Sequence, residues 1–123
     1  MSQITCIIFS FLLLLISAKP LFADRFEVWS LNINSQNEQI KKFSIMHLGN
    51  LRDKRALPLL LKTLHDPSVN IRLESLTAIA KLYTIEGLDD ILVKEKTQEK
   101  TRQVLNKYND VFEILSQIKK SKK

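Results

Sequence analysis

Apolar residues recur at steps of three and four through the middle of the chain, and the same pattern occurs twice. One copy runs from Ile40 to Leu61 and the other from Ile71 to Leu92, and a shift of 31 residues superposes them. The superposed apolar pairs include Ile40 and Ile71, Leu48 and Ile79, Leu51 and Leu82, and Leu57 and Leu88. Steps of three and four are typical of amphipathic helices, and a period of about 20–50 residues is typical of stacked repeats. The pattern therefore predicts two helical hairpins, over about residues 37–67 and 68–97.

Turn-forming residues divide the first copy into two helices. Ser35 and Glu38 have the spacing of a capping box and predict where the first helix starts. Gly49 weakens the end of that helix, and Asp53 is placed to cap the next one. Pro58 falls near the first turn of the second helix, where a missing amide hydrogen costs little.

The stretch before the repeats, residues 24–34, alternates apolar and polar residues. Phe26, Val28, Leu31 and Ile33 form the alternation, which slips by one at Trp29. We expect an extended arm that partly covers the open end of the stack, with a flexible lead-in as the alternative. Trp29 is expected to pack, since burial of its large ring is strongly favourable.

The 31-residue period does not continue past the second copy. At this offset Ile71 falls on Arg102 and Ile79 falls on Asp110, neither of which suits a core. Helical spacing of apolar residues nevertheless persists, and it predicts a C-terminal capping helix over residues 98–119 and a basic tail over 120–123. An atypical last unit is expected because its outer face must be polar.

The N-terminus carries an almost wholly apolar run from Ile4 to Ala18. About 15 residues is short for a membrane span and suits the core of a secretory signal peptide. We expect a signal peptide over residues 1–23 with cleavage after Ala23, and an uncleaved N-terminal membrane anchor as the alternative. Both predict an exported body, periplasmic or secreted. Cys6, the only cysteine, lies in this run, so the remainder has no disulfide or thiolate chemistry.

Two segments resemble a known repeat family. Leu48 to Leu60 and His65 to Arg72 are similar to the short HEAT repeats of the phycobilisome-lyase type. The resemblance implies an all-α fold, a short right-handed α-solenoid of two HEAT-like hairpins plus the C-terminal capping helix, with the second helices lining a concave face. It also implies that Asp53 and Arg72 form a structural pair between repeats through charge-assisted hydrogen bonds. We transfer no lyase chemistry, because a fold is not a function.

Residues suited to catalysis are scarce and scattered. His47 and His65 are the only histidines, and neither lies in a metal-ligand spacing. Asp89 and Asp90 begin a predicted helix, where negative charge is favourable. The chain has no glycine-rich phosphate loop and no nucleophile elbow. We therefore predict a protein that is not an enzyme and that uses no metal or cofactor.

Positive charge is concentrated at the C-terminal end. Residues 24–93 carry equal numbers of basic and acidic residues, whereas residues 94–123 carry nine basic and four acidic ones. The last lysines are Lys119, Lys120, Lys122 and Lys123. They predict attraction to an anionic membrane surface or polymer, and a merely solvated tail is the alternative. Nucleic acid is not predicted as a partner, because the chain is expected to be exported.

The leading functional hypothesis is an interaction module or scaffold. It would bind a protein or peptide on its second-helix face through Arg55, Leu59, Lys62 and Lys94. The alternatives are a membrane-surface or envelope-associated protein that uses the basic C-terminal end, and an accessory subunit of an enzyme complex.

Overall fold

A computed structural model describes residues 3–8 and 25–123, and all regular secondary structure in these residues is α-helical. Residues 3–8 are helical (α1). The later helices are α2 (Arg25–Asn32), α3 (Glu38–Leu51), α4 (Ala56–Thr63), α5 (Val69–Ala80), α6 (Leu88–Lys96) and α7 (Arg102–Ser121). The predicted all-α solenoid fold is confirmed. The predicted cleavage after Ala23 and most of the predicted signal peptide lie outside the described residues.

The helices form two layers around one core. The first helices of the repeats, α3, α5 and α7, lie side by side, with α5 packed against both neighbours. The second helices, α2, α4 and α6, lie against them in the other layer. The shared core consists of aliphatic residues from both layers and one tyrosine. Its most deeply buried members include Ile45, Leu48, Leu60, Ile71, Leu76, Ile79, Leu92, Val104 and Tyr108. Removal of this apolar surface from water is the main force that holds the layers together.

The stretch predicted to be an extended arm is a helix, so that prediction is wrong. Helix α2 begins 31 residues before α4, and it occupies the position of a second helix one period earlier. Phe26, Trp29 and Ile33 pack against or belong to the core, at steps of three and four. They correspond to the buried residues Leu57, Leu60 and Leu64. The slip in alternation at Trp29 was thus the sign of a helical period.

Helix α7 is also in register with the repeats, at an offset of 33 residues instead of 31. Its four buried residues each lie 33 positions after a buried residue of α5 or of the turn that follows α5. The pairs are Ile71 and Val104, Ser75 and Tyr108, Ala78 and Val111, and Leu82 and Leu115. Two extra residues between the units lengthen the offset from 31 to 33 residues. A comparison at a fixed offset of 31 residues therefore pairs buried residues of α5 with exposed residues of α7. Helix α7 packs on α5 and α6, and it runs from Arg102 to Ser121 where the sequence predicted 98–119.

Helices α3 and α5 approach each other closely at Gly49. A Cβ atom placed on Gly49 would lie 2.8 Å from both Cα and Cβ of Ala78, so only glycine fits there. Gly49 therefore does not end α3, which continues to Leu51. The helix ends at Arg52, whose φ of 52° is left-handed. Helix contact, not helix termination, accounts for this glycine.

The polar groups near the helix starts differ in part from the predicted ones. Asn37, not Ser35, is the N-cap of α3, and its side-chain oxygen accepts the amides of Gln39 and Ile40 at 2.9 and 3.2 Å. Glu38 does not close a capping box. Its carboxylate accepts a hydrogen bond from the hydroxyl of Ser68, which lies in the turn before α5. The capping-box prediction is therefore wrong.

No helix within the described residues combines the length and apolar character needed to cross a membrane.

Candidate binding face

The second-helix face consists of the outward sides of α2, α4 and α6. Equivalent positions recur on it, since α4 begins 31 residues after α2 and α6 begins 32 residues after α4. One row contains Val28, Leu59 and Ile91, and a second row contains Leu31, Lys62 and Lys94. In the first row Leu59 and Ile91 are half-buried and Val28 is exposed, whereas all three residues of the second row are exposed.

Leu59 and Lys62, two of the predicted binding residues, line one cleft of about 350 Å³. Ile33 and Asn34, the two residues that follow α2, also line this cleft, as does Asp66. Leu59 is half-buried there, whereas Lys62 is exposed. The helical phase predicted from the sequence thus brings these two residues together, and the turn after α2 contributes lining residues that were not predicted.

Arg55 lies near the start of α4 and already has partners in the fold. Its guanidinium contacts the carboxylate of Asp53 at 2.6 Å and lies over the ring of Phe26, 4.2 Å from its centroid. Asp53 also accepts the backbone amide of Arg55 at 2.9 Å, just before α4 begins. These hydrogen bonds lower the pKa of Asp53 below its ordinary value. Arg55 therefore joins α2 to α4 as well as bordering the face.

The predicted pair between Asp53 and Arg72 is wrong, because each residue binds a different partner. Arg72 donates to Glu99 at 2.9 Å and to the Thr101 hydroxyl at 2.8 Å. It also donates to the carbonyl of Asp66 at 2.8 Å. The physical reason is local: Asp53 lies two residues from Arg55 and bonds within its own turn. Arg72 still joins one unit to the next, but through Glu99.

A second inter-unit pair occurs one repeat earlier. Lys41, the equivalent of Arg72, contacts Asp66 at 2.7 Å. Burial acts to raise the pKa of Asp66, but the hydrogen bonds from Lys41 and from the amide of Ser68 outweigh it, so that pKa is lowered. The pKa of Glu99 is lowered in the same way: burial opposes, and bonds from Thr101 and Arg72 prevail. In both pairs the carboxylate, Asp66 or Glu99, is ionised, and the neighbouring cation balances its charge.

His65 closes the far side of the cleft by contact with α6. Its Nε2 lies 2.8 Å from Oε2 of Glu95. That oxygen is buried and makes no hydrogen bond of good geometry with any described residue. The contact is therefore an ion pair that forms when the imidazole is protonated. His47, the other histidine, is stacked on Trp29 with ring centroids 4.1 Å apart, so the rings cover each other.

Lys62 and Lys94 are the cations of this face that the fold leaves available. Within residues 3–8 and 25–123, neither ammonium group has a carboxylate in ion-pair contact. Asp66, the carboxylate that lines the cleft, is already paired with Lys41. Glu95 lies against His65 and pairs with it only when the imidazole is protonated. The face therefore offers positive charge beside apolar surface.

The basic C-terminal end is partly folded back on the last unit. Lys119 pairs with Asp89, and the ammonium group of Lys122 lies 5.3 Å from the ring centroid of Tyr83. Lys120 and Lys123 border a shallow cleft of about 320 Å³ that also contains Phe112. These lysines lie on the last helix of the stack, away from Leu59 and Lys62.

Groups of three or more His, Cys, Asp or Glu side chains that could hold a metal ion do not occur among the described residues. Tyr108 is the most strongly shifted titratable group: burial, followed by the charges of Glu95 and Glu99, raises its pKa to about 12. Its hydroxyl therefore stays protonated at neutral pH. Nothing in this arrangement resembles an acid–base or nucleophilic centre.

The layered helical pairs and the repeated inter-unit contacts define a stacked-repeat protein. The family model of HEAT repeats matches residues 27–105, which is more than half of the chain, and the protein belongs to this family. The matched region extends from α2 into α7, in agreement with the register described above. A search of curated proteins finds no significant match. HEAT repeats in general mediate protein–protein interaction.

Proposed function

We propose that this protein is a non-enzymatic interaction module that binds a protein or peptide on its second-helix face. The observation that supports the proposal most strongly is the cleft between α4 and the turn after α2, where half-buried Leu59 lies beside Lys62, a cation with no ion pair among the described residues. Lys94 repeats this cation on the next second helix. The repeats are proposed to be of the short phycobilisome-lyase type, without lyase chemistry.

The favoured partner segment carries carboxylates next to apolar side chains. Complementary charge increases the association rate and selects partners, whereas burial of the apolar groups supplies affinity. Exposed lysines contribute little to affinity one at a time, so removal of a single charge is expected to weaken binding only several-fold. Reversal of two charges is expected to have a much larger effect.

Affinity purification of the full chain tests this proposal. Lys62→Glu combined with Lys94→Glu is expected to remove the co-purified partner. Lys54→Glu combined with Lys100→Glu makes the same change in net charge at exposed positions off the face, and it is expected to retain the partner. Retention of every partner by the first variant would show that the face assignment is wrong.

The basic C-terminal end supports a second candidate function, binding to an anionic membrane surface. Lys120 and Lys123 border a cleft with Phe112, so positive charge again lies beside an apolar group. Salt-sensitive binding to vesicles that contain anionic lipid, lost in Lys120→Glu combined with Lys123→Glu, is the expected result. Equal binding to neutral vesicles would contradict it.

We also propose that the protein is exported. The support is the apolar run from Ile4 to Ala18 and the small residue Ala23 before Asp24. N-terminal sequencing of the protein from its source cells is expected to start at Asp24. A start at Met1 would favour the anchored alternative.

A further inference from the structure

Four large apolar side chains are exposed together at the end of the stack formed by α2 and α3. Their exposed fractions are 39% for Val28, 76% for Leu31, 43% for Ile40 and 53% for Phe43. We call this surface the N-terminal end face. In the remainder of residues 25–123, the large exposed hydrophobic residues are Val93 and Ile114, which lie on different helices.

The repeat register shows that Ile40 is at a stacking position. The equivalent of Ile40 one unit later is Ile71, which is 1% exposed. On the same side of the following unit, Ala78 contacts Gly49 and the ammonium group of Lys81 donates to Asn50 at 2.5 Å. The side of α5 that these residues mark is therefore covered by α3. The corresponding side of α3 is covered only in part, by α2, whose Trp29 stacks on His47. Ile40 and Phe43 on α3 stay exposed.

The residue types on this face are the opposite of those expected at a free end. A terminal repeat is normally more polar than the inner ones. Here Phe43 replaces Glu74 of the next unit, and Leu31 replaces Lys62. Two positions that are charged inside the stack are therefore apolar at its end. A face of this composition is typical of an interaction surface.

The other end of the stack is polar and cannot take this role. The outward side of α7 is made of exposed polar and charged residues. These include Asn106, Asn109, Asp110, Glu113 and Gln117. Stacking of one molecule's N-terminal end face on another's α7 would bury apolar groups against hydrophilic ones. Two N-terminal end faces match each other, and a two-fold contact closes without forming a filament.

We propose that a second copy of this chain covers the N-terminal end face in a two-fold dimer. A fully exposed large apolar side chain presents roughly 150–200 Å². The four exposed fractions then amount to about 350 Å² per copy, or about 700 Å² in the dimer. The half-buried neighbours Trp29, Met46 and His47 enlarge this area toward the roughly 1,000 Å² that a specific interface needs.

The charges around the face permit this contact. Arg25 and Glu27 on α2 and Lys42 on α3 are exposed, and they include both signs. A two-fold rotation can therefore bring opposite charges together at the rim, whereas like charges are concentrated at the other end of the stack. Val28 and Leu31 also lie at the α2 end of the second-helix face, so the two surfaces share these residues. The test uses the protein alone, so its result does not depend on whether a partner binds through Lys62 and Lys94.

Sedimentation of the full chain at micromolar concentration tests the proposal. The native protein is expected to sediment as a dimer. Leu31→Glu and Phe43→Glu are each expected to weaken dimerisation at least tenfold, because each buries a carboxylate in the apolar contact. Val93→Glu and Ile114→Glu introduce the same charge at exposed apolar positions elsewhere, and they are expected to remain dimeric. Circular dichroism confirms that the variants fold.

Two results would overturn the proposal. A monomeric native protein would show that the face is covered from within the chain or left open. A dimer that persists in both Leu31→Glu and Phe43→Glu would show that association occurs through another surface, such as the apolar N-terminal run.

Discussion

Substitution of Gly49 by alanine has two effects of opposite sign on stability, one from helix propensity and one from steric overlap. Helix propensity alone favours alanine over glycine inside a helix by about 1 kcal/mol. The structure predicts the reverse, because the new Cβ would lie 2.8 Å from Cα and Cβ of Ala78. Contacts between carbon atoms are most favourable at about 3.5–4.0 Å, so α3 and α5 must separate by several tenths of an ångström or more.

The magnitude follows from these two contributions. Neither Cα nor Cβ of Ala78 can move aside by rotation of a side chain, so the clash is relieved by movement of a helix. Overpacking of this kind costs about 1–3 kcal/mol, typically more than the gain in propensity. We expect Gly49→Ala to lower the free energy of unfolding by up to about 2 kcal/mol after the gain is subtracted.

Urea denaturation followed by circular dichroism of the full chain measures this change. Ala78→Gly should restore the space, so the double variant is expected to lose less stability than the sum of the single variants by at least about 0.5 kcal/mol. Gly87→Ala is the matched control: its φ of 75° makes it costly, but no atom lies within 4 Å of the added Cβ. Its effect should simply add to that of Ala78→Gly. A stabilised Gly49→Ala variant would refute the close approach of α3 and α5.

Three further predictions concern other contacts of the stack. Arg72→Met should lower stability by about 2–4 kcal/mol, because it leaves the nearly buried Glu99 carboxylate without its cation. The lowered pKa of Glu99 stabilises the native chain above the ordinary value of 4.5, and this contribution is lost as the pH falls through the lower native pKa. Urea titrations at several acidic pH values should therefore show that the free energy of unfolding depends less on pH in this variant. An unchanged dependence would contradict the pairing. Tyr108, whose pKa is raised to about 12, favours the native state below its ordinary value of 10.0, and that advantage is lost at higher pH. Tyr108→Phe should reduce the alkaline fall in stability, as measured by urea titration, and an unchanged fall would show that Tyr108 is not responsible. His47→Ala should shift the fluorescence of Trp29, the only tryptophan, to longer wavelength, whereas His47→Phe should not, since an aromatic ring maintains the stack. Equal spectra in both variants would argue against the stacked rings.

The two central hairpins could be predicted because sequence period and turn chemistry agree there. Apolar residues at steps of three and four fix the buried sides of α4 and α5, and Asp66-Pro67 separates them. The phase of α4 also placed Leu59 and Lys62 on one side, where the structure finds a shared cleft. Local rules were sufficient at these positions.

The two ends were harder to predict for different reasons. Helix α2 has eight residues, and over so short a length a helical period and an alternating one share several positions. Helix α7 is displaced by two residues relative to the period, which a fixed offset cannot detect. A comparison of Phe26, Trp29 and Ile33 with Leu57, Leu60 and Leu64 at the same offset would have revealed α2.

Ion pairs were the least predictable feature, because they depend on how turns orient side chains. Arg72 was correctly expected to connect adjacent units. Its partner, Glu99, lies 27 residues away in a turn of the next unit, and no local spacing identifies it. Asp53 instead binds Arg55, because a carboxylate two residues before an arginine reaches it within one turn.

Amide hydrogen exchange of residues 25–33 tests the central claim most directly, namely that α2 is a second helix of the stack and that the turn after it lines the binding cleft. The amide of Ile33 donates to the carbonyl of Trp29 at 3.0 Å at the end of this helix. We predict that amides near the end of α2 exchange much more slowly than in an unstructured peptide, and that Trp29→Ala removes this protection. Exchange of the native segment at the rate of an unstructured chain would contradict the account.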